Sequence, residues 1–155
     1  MIKVFLGGTC NGSLWREKLI SLLNDHVEYY NPVAPDWSEE YHEKEIQVRE
    51  ESDFTLYVIS PEMTGVYSIA EATADVFLKH GNTIFVVLFE AVAPYDVCGG
   101  VAVTQPRLKF NEKTYYSLYQ TSKFIERLGG KVFYSLYDVA EFLNRKAGEQ
   151  CGTDG

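Results

Sequence analysis

Five apolar, β-rich runs punctuate the chain, at Lys3 to Leu6, Val27 to Tyr30, Phe54 to Ile59, Thr83 to Phe89 and Lys131 to Leu136. The segments between them carry apolar residues at helical spacing and predict helices over Leu14 to Asn24, Glu39 to Glu51, Ile69 to His80, Tyr115 to Leu128 and Val139 to Lys146. Strands that alternate with helices form βαβ units and a parallel sheet. The runs "FTLYVIS" and "TIFVVLF" are almost unbroken in apolar character, as central strands covered on both faces must be. In the first helix Trp15, Leu19, Leu22 and Leu23 share one side, which is amphipathic packing. The second, "SEEYHEKEIQVREES", is mostly charged, so it belongs at an exposed edge.

This pattern predicts an α/β fold of the flavodoxin-like, doubly wound kind, with about five parallel strands in the order 2-1-3-4-5. A single domain is expected over residues 1–147, with residues 148–155, "GEQCGTDG", as a disordered tail. Glu90 to Lys113 is irregular and holds Pro94, Gly99, Gly100 and Pro106. A connection that long is a lid, an oligomer contact or a small hairpin excursion.

Composition narrows the partners. The formal charge is −8, against the basic footprint that a nucleic-acid backbone requires. Cys10, Cys98 and Cys151 are odd in number, far apart and without a CxxC pair, so neither a disulfide framework nor a zinc site is expected. No apolar run reaches membrane-spanning length and "MIKVFLGG" lacks the layout of a signal peptide, so a cytoplasmic protein without a membrane partner is expected. The many Tyr and Phe residues serve the core and subunit contacts, and some can stack on a flat heterocycle.

In sheets of this kind ligands bind outside the carboxyl ends of the strands. Three loops meet there: "GGTCNGS", "NPVAPDWS" and "SPEMTGVYS". The first, with Gly7, Gly8 and Thr9, can present backbone N–H groups to a phosphate or a sugar hydroxyl, and Ser13 is placed to cap the following helix. It is neither a P-loop nor GxGxxG. In the second, two prolines stiffen the support of Asp36 and Trp37, a carboxylate beside an aromatic face. A turn whose Asp36 or Ser38 caps the next helix accounts for the same residues.

The third loop, from Pro61 to Tyr67, has room to cradle a ligand and leads to Ser68 and Glu71. S-x-x-E is the spacing of a capping box, and a helical wheel puts Ile69, Ala72, Val76 and Phe77 on the buried face with Glu71, Asp75 and Lys79 toward solvent. Position argues for function, because the first turns of a helix at the crevice direct part of their polar face toward a ligand. Asp53, read alone, terminates a helix at the edge opposite the crevice. His26, His42 and His80 are scattered and lack metal-ligand or triad spacing.

Taken together, "VFLGGTCNGSLWR", "NPVAPDW", "QVREESDFTLYVIS" and "GVYSIAEA" resemble the nucleoside 2-deoxyribosyltransferase family, in its divergent NP-x-x-PDW branch, over roughly residues 2–90. The resemblance implies that Glu71 is the catalytic nucleophile and that Asp53 is a second catalytic group near the base. It also implies that Asp36 and Trp37 contact the heterocycle, that Gln47 matches a recurrent glutamine, and that Tyr67 and Ser68 line the substrate site. Two positions depart from the family pattern: Gly65 stands where better characterised members carry an aspartate, and Glu71-Ala72-Thr73 replaces Glu-x-Gly. The implied enzyme needs no cofactor, takes nucleosides and free bases, and is a homo-oligomer in which a neighbouring subunit helps close the site. An N-glycosidase acting on deoxynucleosides or their monophosphates, or a module that only binds a nucleotide derivative, would use the same residues differently.

Overall fold

The computed structural model describes residues 1–33, 38–100 and 106–152. Five strands, β1 (Ile2–Gly8), β2 (Val27–Tyr30), β3 (Phe54–Ile59), β4 (Thr83–Val87) and β5 (Lys131–Phe133), form one parallel sheet in the order β2-β1-β3-β4-β5. That is the predicted flavodoxin-like topology. Helices α1 (Trp15–Leu22), α2 (Glu39–Glu51), α3 (Tyr67–Leu78), α4 (Pro94–Cys98), α5 (Glu112–Arg127) and α6 (Leu136–Cys151) connect and cover the strands.

Alternation along the strands builds two cores. Val4, Leu6, Leu56, Val58, Ile84 and Val86 face α1 and α6, where they meet Trp15, Leu19, Val139 and Leu143. Phe5, Tyr57, Ile59, Phe85 and Val87 face the other way, toward Ala72 and Val76 of α3 and Leu118 and Ile125 of α5. Every residue of β3 and β4 is buried, in keeping with their unbroken apolar character. By contrast α2 buries no residue, as its charge predicted.

Several local expectations are corrected. β1 continues through both glycines because strand β3 lies directly against them: a Cβ on Gly8, whose φ is +115°, would stand 2.2 Å from the Val58 carbonyl oxygen. Ser13 does not cap α1. Its hydroxyl donates back to the Thr9 carbonyl at 2.9 Å, and the N-cap residue is Leu14. Ser38 does cap α2, accepting from the Tyr41 N–H at 3.2 Å. α6 is longer than predicted at both ends and reaches Cys151.

Within the irregular stretch, Glu90 and Lys109 form an antiparallel bridge, flanked by backbone bonds from Ala91 to Leu108 and from Phe110 to Phe89. The described part of that stretch therefore leaves the sheet and returns beside its own start, with α4 within it.

Candidate active site

α3 begins at Tyr67 with Val66 as its N-cap, and no side chain caps it. Ser68 therefore lies inside the first turn, and the predicted capping box does not form. Glu71 instead reaches α2, where its Oε2 pairs with Arg49 Nη1 at 3.1 Å. Its side chain keeps 14% exposure, low for a carboxylate on a surface helix.

The same guanidinium is gripped by Asp75, one helical turn beyond Glu71. Arg49 Nε donates to Asp75 Oδ2 at 3.0 Å and Nη2 to Oδ1 at 2.8 Å, the bidentate geometry that a planar guanidinium favours. From the sheet, the Tyr57 hydroxyl donates to Asp75 Oδ2 at 2.5 Å. Asp75 is 2% exposed and Tyr57 fully buried, so the Tyr57 hydroxyl relies on Asp75 for a partner, and Asp75 relies on Tyr57 and Arg49.

These contacts overturn the predicted face of α3. Asp75 points into the protein because Arg49 and Tyr57 satisfy it there, while Phe77 stands 63% exposed. Lys79 does not pair along its own helix but donates to the Ser52 carbonyl at 2.9 Å and to that of Glu50. It thereby neutralises carbonyls at the end of α2, where a cation is favoured.

Electrostatics around Glu71 oppose one another. Burial raises its pKa above the ordinary value, Arg49 and His42 pull it down, and Glu45 and Asp75 push it up, with a net rise. Burial and the hydrogen bond to Asp75 likewise hold the Tyr57 phenol well above its ordinary range. For Arg49, burial lowers the pKa, but Asp75 and the neighbouring negative charge outweigh it and the guanidinium stays charged.

The remaining sequence-predicted residues fall into distinct places. Gly7 lies against the Tyr57 ring, where a Cβ would come within 2.6 Å. Gly8 lies against Val58 as described. Thr9 is buried and its polar groups are used internally: its N–H donates to Val58, its hydroxyl accepts from the Ser60 N–H at 3.1 Å, and its carbonyl accepts from Trp15 Nε1 and Arg16 Nη1, each at 2.8 Å. The first loop thus braces the β1–α1 junction. Tyr67, at the start of α3, is 71% exposed. Gln47 is exposed on α2 and donates to Glu51 at 2.9 Å. Asp36 and Trp37 lie outside the described residues.

Asp53 lies apart from the ion-paired cluster of Arg49, Glu71 and Asp75. It precedes β3 and accepts the Lys3 N–H at 2.8 Å, in a depression shared with Ile2, Asn82 and Lys131 at the amino edge of the sheet. The loops after β1 and β3 leave from the opposite edge. Its place at this edge is the one the bare reading gave it, although the residue that ends α2 is Ser52.

Arg49, Tyr57 and Asp75 were missed by sequence reasoning. Signals for them existed: an aromatic hydroxyl inside a buried strand needs a partner, and Asp75 follows Glu71 at a spacing that puts both on one helix face.

A crevice of about 510 Å³ opens at the carboxyl edge between the loops after β1, β3 and β4, with walls including Leu14, Glu62, Val92, Tyr95 and Arg107. Glu71 is not among its walls. Among the described residues no group of three or more His, Cys, Asp or Glu is placed to hold a metal ion, and no helix is long and apolar enough to cross a membrane.

No curated protein and no solved structure matches the chain. A family model described as nucleoside 2-deoxyribosyltransferase like matches residues 1–90, the part that carries β1 to β4, Arg49, Tyr57, Glu71 and Asp75. With more than half of its length matched, the chain belongs to the nucleoside 2-deoxyribosyltransferase-like family.

Proposed function

We propose that the protein exchanges the base of a 2′-deoxyribonucleoside through a covalent intermediate on Glu71. The observation that carries this reading is the Glu71 carboxylate itself, largely withdrawn from solvent, ion-paired across two helices and free of the capping role its spacing suggested. A carboxylate in that setting, in a chain of this family, is suited to attack an anomeric carbon.

In the first half-reaction a Glu71 oxygen bonds to C1′ as the bond from C1′ to the base nitrogen breaks, and the electron pair leaves with the base. A proton from an acid neutralises the departing base. The transition state resembles an oxocarbenium ion, which a nearby anion stabilises. A second base then attacks C1′ through a nitrogen and gives up a proton, and the Glu71 carboxylate departs. Of the two aspartates considered for the proton, Asp36 is retained with Trp37 as the base-binding pair. Asp53 is set aside, because its carboxylate serves the Lys3 backbone at the far edge of the sheet.

The reaction needs water kept out of the site, and a second subunit is the proposed means. Tyr67, Phe77 and Leu78 are 71, 63 and 70% exposed, and with Ala70 and Ala74 they follow one face of α3. An apolar stripe of that kind favours association.

The test is chromatography of the protein incubated with a panel of deoxynucleosides and their monophosphates, with and without a different free base. A new nucleoside that forms only with the second base supports transfer. Free base released without one would make the enzyme an N-glycosidase. No product from any substrate would overturn catalysis and leave a binding module. Glu71→Ala should remove turnover while the circular dichroism spectrum stays unchanged.

A further inference from the structure

We propose that Arg49 is a positioning residue for Glu71: its guanidinium, fixed by Asp75 and through Asp75 by Tyr57, holds one carboxylate oxygen so that the other is presented to the sugar. The proposal rests on Glu71 being the nucleophile, and it adds a residue that neither the family match nor the sequence motifs single out.

The geometry supports a chain of constraint. Tyr57 belongs to a buried central strand, and its hydroxyl sits 2.5 Å from Asp75 Oδ2. Asp75 holds Nε and Nη2 of Arg49 at 3.0 and 2.8 Å. Because the guanidinium is planar and rigid, fixing two of its nitrogens fixes the third. That third nitrogen, Nη1, meets Glu71 Oε2 at 3.1 Å. The carboxylate is thereby held from the sheet outward, although α2 buries no residue of its own.

Charge balance makes the arrangement more than a helix clasp. Satisfying Asp75 alone would need only the bidentate pair, yet two carboxylates share one guanidinium, leaving one net negative charge in the cluster. That charge favours a cationic transition state. Attack by Oε1 converts Glu71 to a neutral ester, so that Arg49 and Asp75 then balance each other. Oε2 becomes the ester carbonyl within reach of Nη1, which polarises the ester for departure when the second base attacks. The charged and titratable groups around Glu71 are Arg49, His42 and Glu45 of α2, Asp75 of its own helix, and Tyr57 of β3, which meets the cluster through Asp75.

The experiment compares wild type, Arg49→Gln and Arg49→Lys by two readouts. The first is the titration of Glu71 followed by NMR in protein labelled with 13C at the glutamate carboxyl carbons, assigned with Glu71→Gln. The second is the pH profile of kcat and KM for base exchange. Arg49→Gln should move the Glu71 midpoint upward and carry the acidic limb of kcat/KM with it, and kcat should fall about 100-fold with little change in KM. Arg49→Lys, which keeps the charge but not the fork, should leave the midpoint near that of wild type and lower kcat about 10-fold.

An Arg49→Gln protein that folds with an unchanged midpoint and unchanged kcat would overturn the proposal and make Arg49 a helix tie. If wild type turns over no substrate but the midpoint still rises in Arg49→Gln, the hold on Glu71 stands and the transferase reading fails. Should Arg49→Gln not fold, Tyr57→Phe carries the same test through a milder change: an upward midpoint and lower kcat support the proposal, and no movement in either overturns it.

Discussion

The Tyr57 hydroxyl donates to the carboxylate of Asp75 at 2.5 Å, joining the central strand β3 to a helix residue that is itself 2% exposed. This bond lets an aspartate lie inside an apolar layer. Tyr57→Phe keeps the ring, and with it the packing against Phe5, but removes the donor. A hydrogen bond to a charged group contributes about 1.5–3 kcal/mol, so a loss of about 2 kcal/mol in urea unfolding is expected, with an unchanged m-value. A loss below about 0.5 kcal/mol would show that Arg49 alone satisfies Asp75.

Glu71 costs the fold stability at neutral pH. Its pKa is raised mainly by burial, so the native state binds the proton more tightly than the unfolded chain. Below the ordinary value both states are protonated and nothing is lost. As pH rises, the unfolded chain ionises first and stability falls, until the native carboxylate has also ionised. Glu71→Gln escapes this loss. Its melting temperature should therefore improve relative to wild type as pH is raised from about 4 to 8. A constant difference across that range would contradict the raised pKa.

Gly8 is required by the approach of β3. A methyl group there meets the Val58 oxygen at 2.2 Å on a backbone with φ of +115°. Gly8→Ala should cost about 3 kcal/mol or more in denaturant unfolding, through clash and an unfavourable backbone region. A stable Gly8→Ala protein would mean that β1 and β3 separate more readily than their register suggests.

Gly65 stands where the resemblance implies an aspartate, and a Cβ at that position meets nothing within 4 Å. The fold therefore accepts the carboxylate. Gly65→Asp should unfold within about 0.5 kcal/mol of wild type, the range of ordinary surface changes. In the transferase reading the same variant should alter the order of preferred bases in the chromatographic panel.

Phe77 lies on the exposed apolar face of α3, on the turn after Asp75. If the oligomer proposed above forms through this face, Phe77→Glu should convert it to monomers in sedimentation velocity, because an ionised side chain inside an apolar contact is strongly disfavoured. An unchanged sedimentation coefficient would overturn α3 as the proposed subunit contact.

Much of this was legible in one dimension. The buried character of β3 and β4 and the exposure of α2 follow from hydrophobic periodicity, because burial on two faces, one face or none leaves different residue patterns, and the strand order follows from the doubly wound pattern that the alternating elements match. The four motifs of the first 90 residues carried the family, and Glu71 stood out within them. The sequence alone could not separate a capping box from an ion pair. Both use the Glu71 carboxylate, and the choice turned on where α3 begins and what α2 brings against it. Periodicity also assigned Asp75 to solvent, since a charged residue is normally outside, yet its partners come from a strand and from another helix. The resemblance moved Asp53 toward the catalytic centre, whereas strand direction places it at the opposite edge of the sheet. What the sequence determined was which residues are apolar, and hence the layers. Tertiary structure decided which polar side chains meet, because their partners are distant in sequence and no local pattern encodes the pairing.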